Sequence, residues 1–79
     1  MKIHLRYYGV IGEQVGCESE TVEIQPAYSI ADLDAFLKQR YPSLGNLDYQ
    51  VSYNHKMSGR ETLLEAEGVV ALLPPFAGG

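Results

Sequence analysis

The groups best placed to do chemistry in this sequence stand at its last positions. Pro74-Pro75-Phe76-Ala77 leads into Gly78-Gly79, and Gly79 is expected to carry a free α-carboxylate. A carboxylate is a poor electrophile, so acyl chemistry there requires activation, most simply as an acyl-adenylate made from ATP. Attack by a sulfur donor would then give a thiocarboxylate, a nucleophilic sulfur at the tip of an arm. The residues leading to the tip suit that task. Pro74 and Pro75 cannot donate ladder hydrogen bonds, so a sheet must end there and the chain leaves as a stiff extended segment. Fully extended, the stretch from Pro74 onward reaches ~20 Å. Phe76 offers one apolar anchor for a partner's pocket. Gly78 and Gly79 lack a Cβ and can thread a channel too narrow for other residues. The plainer alternative is a frayed, glycine-rich end, but two prolines and an aromatic residue ahead of Gly-Gly weigh against it.

Elsewhere the sequence holds little that could catalyse. Cys17 is the only cysteine, so there is no internal disulfide and no paired-cysteine metal or redox motif. Its neighbour Glu18 would oppose a thiolate, which favours an inert loop thiol. His4 and His55 have no second ligand at metal-binding spacing. Glu65 and Glu67 could pair for acid–base work only in a desolvating cleft, and they read instead as solvated surface, as do Glu18, Glu20 and Glu23. No Ser-His-Asp set or phosphate loop occurs. Tyrosine is abundant, with six against no tryptophan. Tyr7, Tyr41, Tyr49 and Tyr53 fall on inward positions, so core packing with hydroxyls at the rim is favoured over a base-stacking platform.

Composition agrees with a small protein that borrows its pockets. A chain of 79 residues buries only about 60% of its unfolded surface, enough for one small core and no second domain. Six Lys and Arg face ten Asp and Glu, for a net charge of −4. The basic residues are scattered and form no stripe, which excludes nucleic-acid binding, while an acidic surface suits a basic protein partner. No apolar run approaches a membrane span. With no signal-peptide pattern at Met1-Lys2-Ile3-His4, a cytoplasmic setting is expected.

The elements that must carry the arm follow from hydrophobic period. Residues 2–8 alternate, with Ile3, Leu5 and Tyr7 on one face, and residues 20–25 resume the alternation with Val22 and Ile24 inward until Pro26. Ser29 and Asp32 resemble a capping box. Ile30, Leu33, Leu37 and Tyr41, with Phe36 beside them, form a helical stripe that leaves Asp34, Lys38 and Gln39 to solvent, and Pro42 ends the helix. Tyr49, Val51 and Tyr53 alternate as a third strand before a turn at Asn54-His55-Lys56. Residues 60–64 are expected as a short edge strand. The unbroken apolar run Val69-Val70-Ala71-Leu72-Leu73 reads as a strand covered on both faces or lying centrally in the sheet. The order is β-β-α-β-β-β, a domain over 1–73 followed by a flexible arm over 74–79.

The string Val70-Ala71-Leu72-Leu73-Pro74-Pro75-Phe76-Ala77-Gly78-Gly79 resembles the C-terminus of the small, sulfur-carrier subunit of molybdopterin synthase (MoaD-like), in the ubiquitin-like β-grasp superfamily. The resemblance covers the whole chain: the opening strand, the Tyr8 to Glu13 loop, the helix running into Arg40-Tyr41-Pro42 and the Val51 to Asn54 segment correspond. Gly-Gly alone would fit any ubiquitin-like carrier, and Pro74-Pro75 points to the molybdopterin branch rather than the thiazole-forming one. The resemblance implies an α+β fold, a mixed sheet of four to five strands with one main helix across it. It also implies a carrier without catalysis or a bound cofactor of its own. An E1-like adenylyltransferase would use ATP to adenylate Gly79, and a sulfur donor protein would supply the thiocarboxylate. The arm would then enter the large synthase subunit, within a heterotetramer, where the sulfur attacks cyclic pyranopterin monophosphate to build the dithiolene. In that scheme Gly79 carries the sulfur, Gly78 permits threading, and Pro74, Pro75, Phe76 and Ala77 dock the arm.

Three features depart from the family pattern. Gly12 stands where many members have Arg before the loop glutamate, and Phe76 stands for a commoner Val. Gly68-Val69 replaces acidic residues before the last strand, with Glu65 and Glu67 nearby as substitutes. Three alternatives stay open: a carrier for thiazole formation or tRNA thiolation, a ubiquitin-like protein modifier, and a plain interaction module.

Overall fold

The computed structural model of the chain describes residues 1–65 and 67–75. Its five strands are β1 (Lys2–Tyr7), β2 (Ser19–Glu23), β3 (Gln50–Tyr53), β4 (Lys56–Met57) and β5 (Gly68–Leu73). A six-residue helix α1 (Val10–Val15), the main helix α2 (Ile30–Arg40) and a 3-10 turn (Pro42–Asn46) complete the fold. The strands form one mixed sheet in the order β2-β1-β5-β3-β4. β1 runs antiparallel to β2 and parallel to β5, and β3 runs antiparallel to both β4 and β5. The apolar run before the arm is thus the central strand, as its lack of alternation predicts. The architecture is a ubiquitin-like β-grasp.

Strand register sets the two faces. Ile3 pairs with Val22, Leu5 with Val70 and Tyr7 with Leu72, so all six share the face that meets α2, and all are buried. Ile30, Leu33 and Leu37 cover them from the helix and are at most 3% exposed. Each such side chain contributes about 1.5–3 kcal/mol by leaving water, which makes this contact the main adhesive between layers. Val51 and Tyr53 pair with Leu72 and Val70 and pack against the same core while half-buried. The capping box forms as the sequence predicts: Ser29 Oγ accepts the Asp32 N–H at 3.1 Å, and Asp32 Oδ2 accepts the Ser29 N–H at 2.9 Å. α2 stops at Arg40, two residues before Pro42, whose ring opposes continuation.

Four expectations need correction. The edge strand expected over 60–64 is absent; its place is taken by Lys56–Met57, which pairs back on Ser52 and Tyr53. Asn54 and His55 both have positive φ (51° and 70°), the backbone of a two-residue hairpin turn, so pairing resumes immediately after the turn. Leu63 instead makes an isolated bridge with Ser29. Secondly, the stretch between β1 and β2 holds α1 rather than loop alone. Thirdly, Asp34 is not on the solvent face of α2 but only 8% exposed. Fourthly, Glu20 is half-buried rather than part of the exposed side of β2.

The last two share one cause: position outranks residue type. Asp34 is four residues after Ile30 and one after Leu33, so helical geometry sets it on the buried stripe. Glu20 is two residues before Val22 and pairs with Leu5, so strand parity turns it inward. Both carboxylates are neutralised locally. Asp34 accepts the Tyr49 hydroxyl and ion-pairs with Lys38 at 3.2 Å and Arg60 at 3.3 Å. Glu20 accepts the Tyr7 hydroxyl at 2.6 Å and the Tyr41 hydroxyl at 2.7 Å, with Arg40 at 3.3 Å.

Candidate functional site

The site begins where β5 ends. The last register pair of the central strands is Tyr7 with Leu72. Beyond it, the Tyr8 N–H donates to the Leu72 carbonyl at 3.2 Å. Pro74 follows with no N–H to continue the ladder, is half-buried, and is succeeded by exposed Pro75. The sheet therefore releases the chain at the residue the sequence names. Phe76, Ala77, Gly78 and Gly79 lie outside the described residues. Of the arm residues named from sequence, Pro74 and Pro75 are thus located, at the end of the central strand of the sheet.

The arm's root rests beside the corner between β1 and α1. Gly9, the residue before α1, has φ 58° and ψ −135°, a conformation that costs an L side chain strain and suits glycine. A Cβ built there would stand 3.4 Å from Pro74 Cγ. Gly12 lies one turn further on. A Cβ there would stand 3.0 Å from the Tyr7 carbonyl oxygen, so α1 packs backbone-close on the end of β1, and a larger residue at position 12 would require the two to part by a few tenths of an ångström. Glycine, where the family pattern has arginine, permits this close approach. Tyr8 and Val10, on either side of Gly9, are 43% and 47% exposed and give the root an apolar rim. Beside it, a shallow open groove runs past Tyr8, Gly9, Glu13 and half-buried Cys17.

Gly68, the second family departure, has a similar steric reason. The space a side chain would fill there is occupied by the amide of Asn54, whose Nδ2 would lie 2.9 Å from an added Cβ. The same amide accepts the Val69 N–H through Oδ1 at 3.0 Å. A carboxylate at 68 would evict the side chain that closes the β3–β4 turn against β5.

The remaining sequence candidates lie apart from the root. His4 Nδ1 meets Thr21 Oγ1 at 3.0 Å and Nε2 meets Glu67 Oε2 at 2.8 Å. This ties the segment before β5 to the sheet's far face. His55 and Glu65 are exposed. Among the described residues, no group of three or more His, Cys, Asp or Glu side chains could hold a metal ion, and no helix is long and apolar enough to cross a membrane. Of the perturbed titrations, Glu23 is held below the usual carboxylate range by its hydrogen bond to the N-terminal ammonium, and the others are those of tyrosines. Burial first, then the hydrogen bond to Glu20, pushes the Tyr7 phenol above its usual range. Burial and then Asp34 do the same to Tyr49, whereas for Tyr41 the Glu20 hydrogen bond is the leading cause. Each proton is held between a phenol and a carboxylate inside the domain, a structural use of ionisable groups rather than a catalytic one.

Comparison with known proteins agrees with this geometry. The sequence matches the ThiS family over residues 5–79, and the chain belongs to that family. It is accordingly a ubiquitin-like sulfur carrier of the ThiS/MoaD kind. Among solved structures it resembles a protein described as molybdopterin converting factor, subunit 1, from Pyrococcus furiosus. That match has a TM-score of 0.88 at 19% identity and covers 96% of this chain and 99% of the other. It also resembles SAMP1 from Haloferax volcanii, with a TM-score of 0.84 at 18% identity over 100% of both chains. A third likeness is to a chain in the protein–protein complex of subunits 1 and 2 of molybdopterin-converting factor from Helicobacter pylori. There the TM-score is 0.69 at 22% identity, again over 100% of both.

Proposed function

We propose that this chain is the sulfur-carrying small subunit of a molybdopterin synthase. The observation that carries the reading is a Pro74-Pro75 exit from the central strand of a ThiS-family β-grasp, leading to Gly78-Gly79. In the cycle, a Gly79 carboxylate oxygen attacks the α-phosphorus of ATP on an E1-like adenylyltransferase, releasing pyrophosphate. Sulfide-level sulfur supplied by a sulfur donor protein then attacks the acyl carbon and displaces AMP, leaving the thiocarboxylate. The arm enters the large synthase subunit, with Phe76 and Ala77 docking it and Gly78 passing the narrowest point. There the terminal sulfur attacks cyclic pyranopterin monophosphate. The small subunit supplies reach and sulfur, and the large one supplies the pocket, as befits a chain too small to wall a deep site. The subunit 1 and 2 complex from Helicobacter pylori, with its similar chain, supports a paired assembly of this kind.

A second reading is favoured by one likeness. Haloferax volcanii SAMP1 is called a small archaeal modifier protein, so isopeptide attachment of Gly79 to lysines is the competing outcome. Intact mass of chain purified without a C-terminal tag separates the two. Replacement of one oxygen by sulfur on free chain supports the carrier, and conjugates to other proteins support the modifier. Deleting Gly79, or adding one residue after it, should abolish dithiolene formation in a reconstituted synthase while leaving the circular-dichroism spectrum unchanged. Normal product from the extended chain would overturn the reading.

A further inference from the structure

We propose that the free edge of β2 is a docking surface for an extended strand of a partner protein that carries lysine or arginine and joins the sheet there. The inference is independent of what the arm carries. It begins with hydrogen-bond phase. The Tyr7 N–H donates to the Glu18 carbonyl at 2.9 Å and the Ile24 N–H to the Met1 carbonyl at 2.8 Å, and the register between these pairs is unbroken. Bonded pairs alternate along an antiparallel ladder, so Glu20 and Val22 turn their backbone groups toward β1. Ser19, Thr21 and Glu23 turn theirs outward, and among the described residues none of those N–H or carbonyl groups has a partner. All three residues are exposed. Open donors and acceptors at every second residue are what an added strand needs.

The opposite edge differs. β4 is two residues long, and short edges are a common defence against unwanted pairing. β2 has five residues, with neither proline nor glycine among them and no bulge in its register. What it carries is negative charge. Glu20 is taken up by Tyr7, Tyr41 and Arg40, and Glu23 holds the N-terminal ammonium at 2.7 Å. Glu18 is exposed, and the edge continues past it into the groove along Cys17, Glu13 and Gly9. Glu13 is exposed as well, and neither carboxylate has an ion pair among the described residues. Arg6 opposes them from the groove wall, beside Ser19. Two free carboxylates against one cation leave an excess of negative charge along the path, which selects a cationic strand. A second copy of this chain, paired edge to edge, would instead double the carboxylates along one seam. Backbone bonds thus supply the affinity and the glutamates the choice of partner.

The test uses the full chain and a blocked heptapeptide of alternating lysine and valine. Amide hydrogen exchange, read by NMR, should slow roughly tenfold at Ser19, Thr21 and Glu23 when the peptide saturates. The Met57 N–H, on the opposite edge, should not change. No slowing at millimolar peptide, equal slowing at Met57, or equal slowing by a peptide with glutamate in place of lysine overturns the proposal. Slowing of the same amides by protein concentration alone would make a second copy the occupant and overturn it too. Thr21→Pro removes the central donor and should weaken peptide binding about tenfold, and Glu18→Gln should weaken it about threefold. Should Thr21→Pro not fold, a peptide N-methylated throughout, which has no donors to offer, reads the same loss on the wild-type chain. Undiminished binding of that peptide would mean that side chains alone hold it, and strand addition would be refuted. None of these readouts involves Gly79, so the carrier reading stands or falls separately.

Discussion

Glu20 and Asp34 are both carboxylates at the margin of the core, and both accept hydrogen bonds from tyrosine hydroxyls, yet they are compensated differently. Glu20 joins β1, β2 and the C-terminal end of α2 through Tyr7, Tyr41 and Arg40. Asp34 joins α2 to the segments around β3 through Tyr49, Lys38 and Arg60. The Glu20 cluster has one cation and two phenols, whereas the Asp34 cluster has two cations and one phenol. The decisive difference lies behind the phenols: Tyr7 is 3% exposed, while Tyr49 is half-buried and within reach of water. An interior carboxylate matters according to what it leaves unsatisfied when removed, not according to how many charges surround it.

Substitutions should rank accordingly. Glu20→Ala strands the buried Tyr7 hydroxyl as well as releasing Tyr41, and is expected to cost about 2–3 kcal/mol in urea unfolding. A loss below that of Asp34→Ala would break the comparison. Asp34→Ala frees a phenol and two cations that water can solvate, so a smaller loss of about 1–2 kcal/mol is expected by the same measurement. Alkaline pH sharpens the contrast. Tyr7 and Tyr49 hold their protons above the usual phenol range, burial being the larger cause in each and the carboxylate the next. Because the folded state binds these protons more tightly, their contribution is complete below about pH 10, where an unfolded tyrosine ionises, and declines as pH rises further. Denaturant midpoints followed from about pH 9 to pH 11 should therefore fall. Tyr7→Phe should flatten that fall by at most about 1.4 kcal/mol per pH unit, and an unchanged slope would show that the phenol is not held. Least of all, Arg60→Ala should shift stability by no more than about 0.5 kcal/mol, since its side chain is 71% exposed and Lys38 remains beside Asp34. A larger effect would mean that Arg60 anchors its whole segment.

These two clusters also mark how far the sequence can be read. The strand faces, the capped helix and the central last strand are legible because apolar period and backbone chemistry act locally. Asp34 and Glu20 escape because residue type argues for solvent while spacing argues for the core, and only tertiary partners, Tyr49 and Tyr7, decide for spacing. Helix α1 escapes because its N-cap is Gly9 with no capping side chain, so no local signal announces it. β4 is displaced because Asn54 and His55 turn in the left-handed region and bring Lys56 straight back into register. At the site, the exit at Pro74 is legible from the missing N–H alone. Its place beside Gly9 is not, for the two residues stand at opposite ends of the sequence.

That same remoteness governs how the protein comes into being. β1 and β5 are the central parallel pair, one near the start of the sequence and the other the last element described. During synthesis β1 can pair with β2 and meet α2, but the middle of the sheet stays vacant until β5 emerges. Non-local pairing of this kind is slow and exposes apolar edges while it waits. Since the segment from Pro74 follows β5 directly, folding and display coincide: a nascent chain has no anchored root for that segment until its sheet has closed.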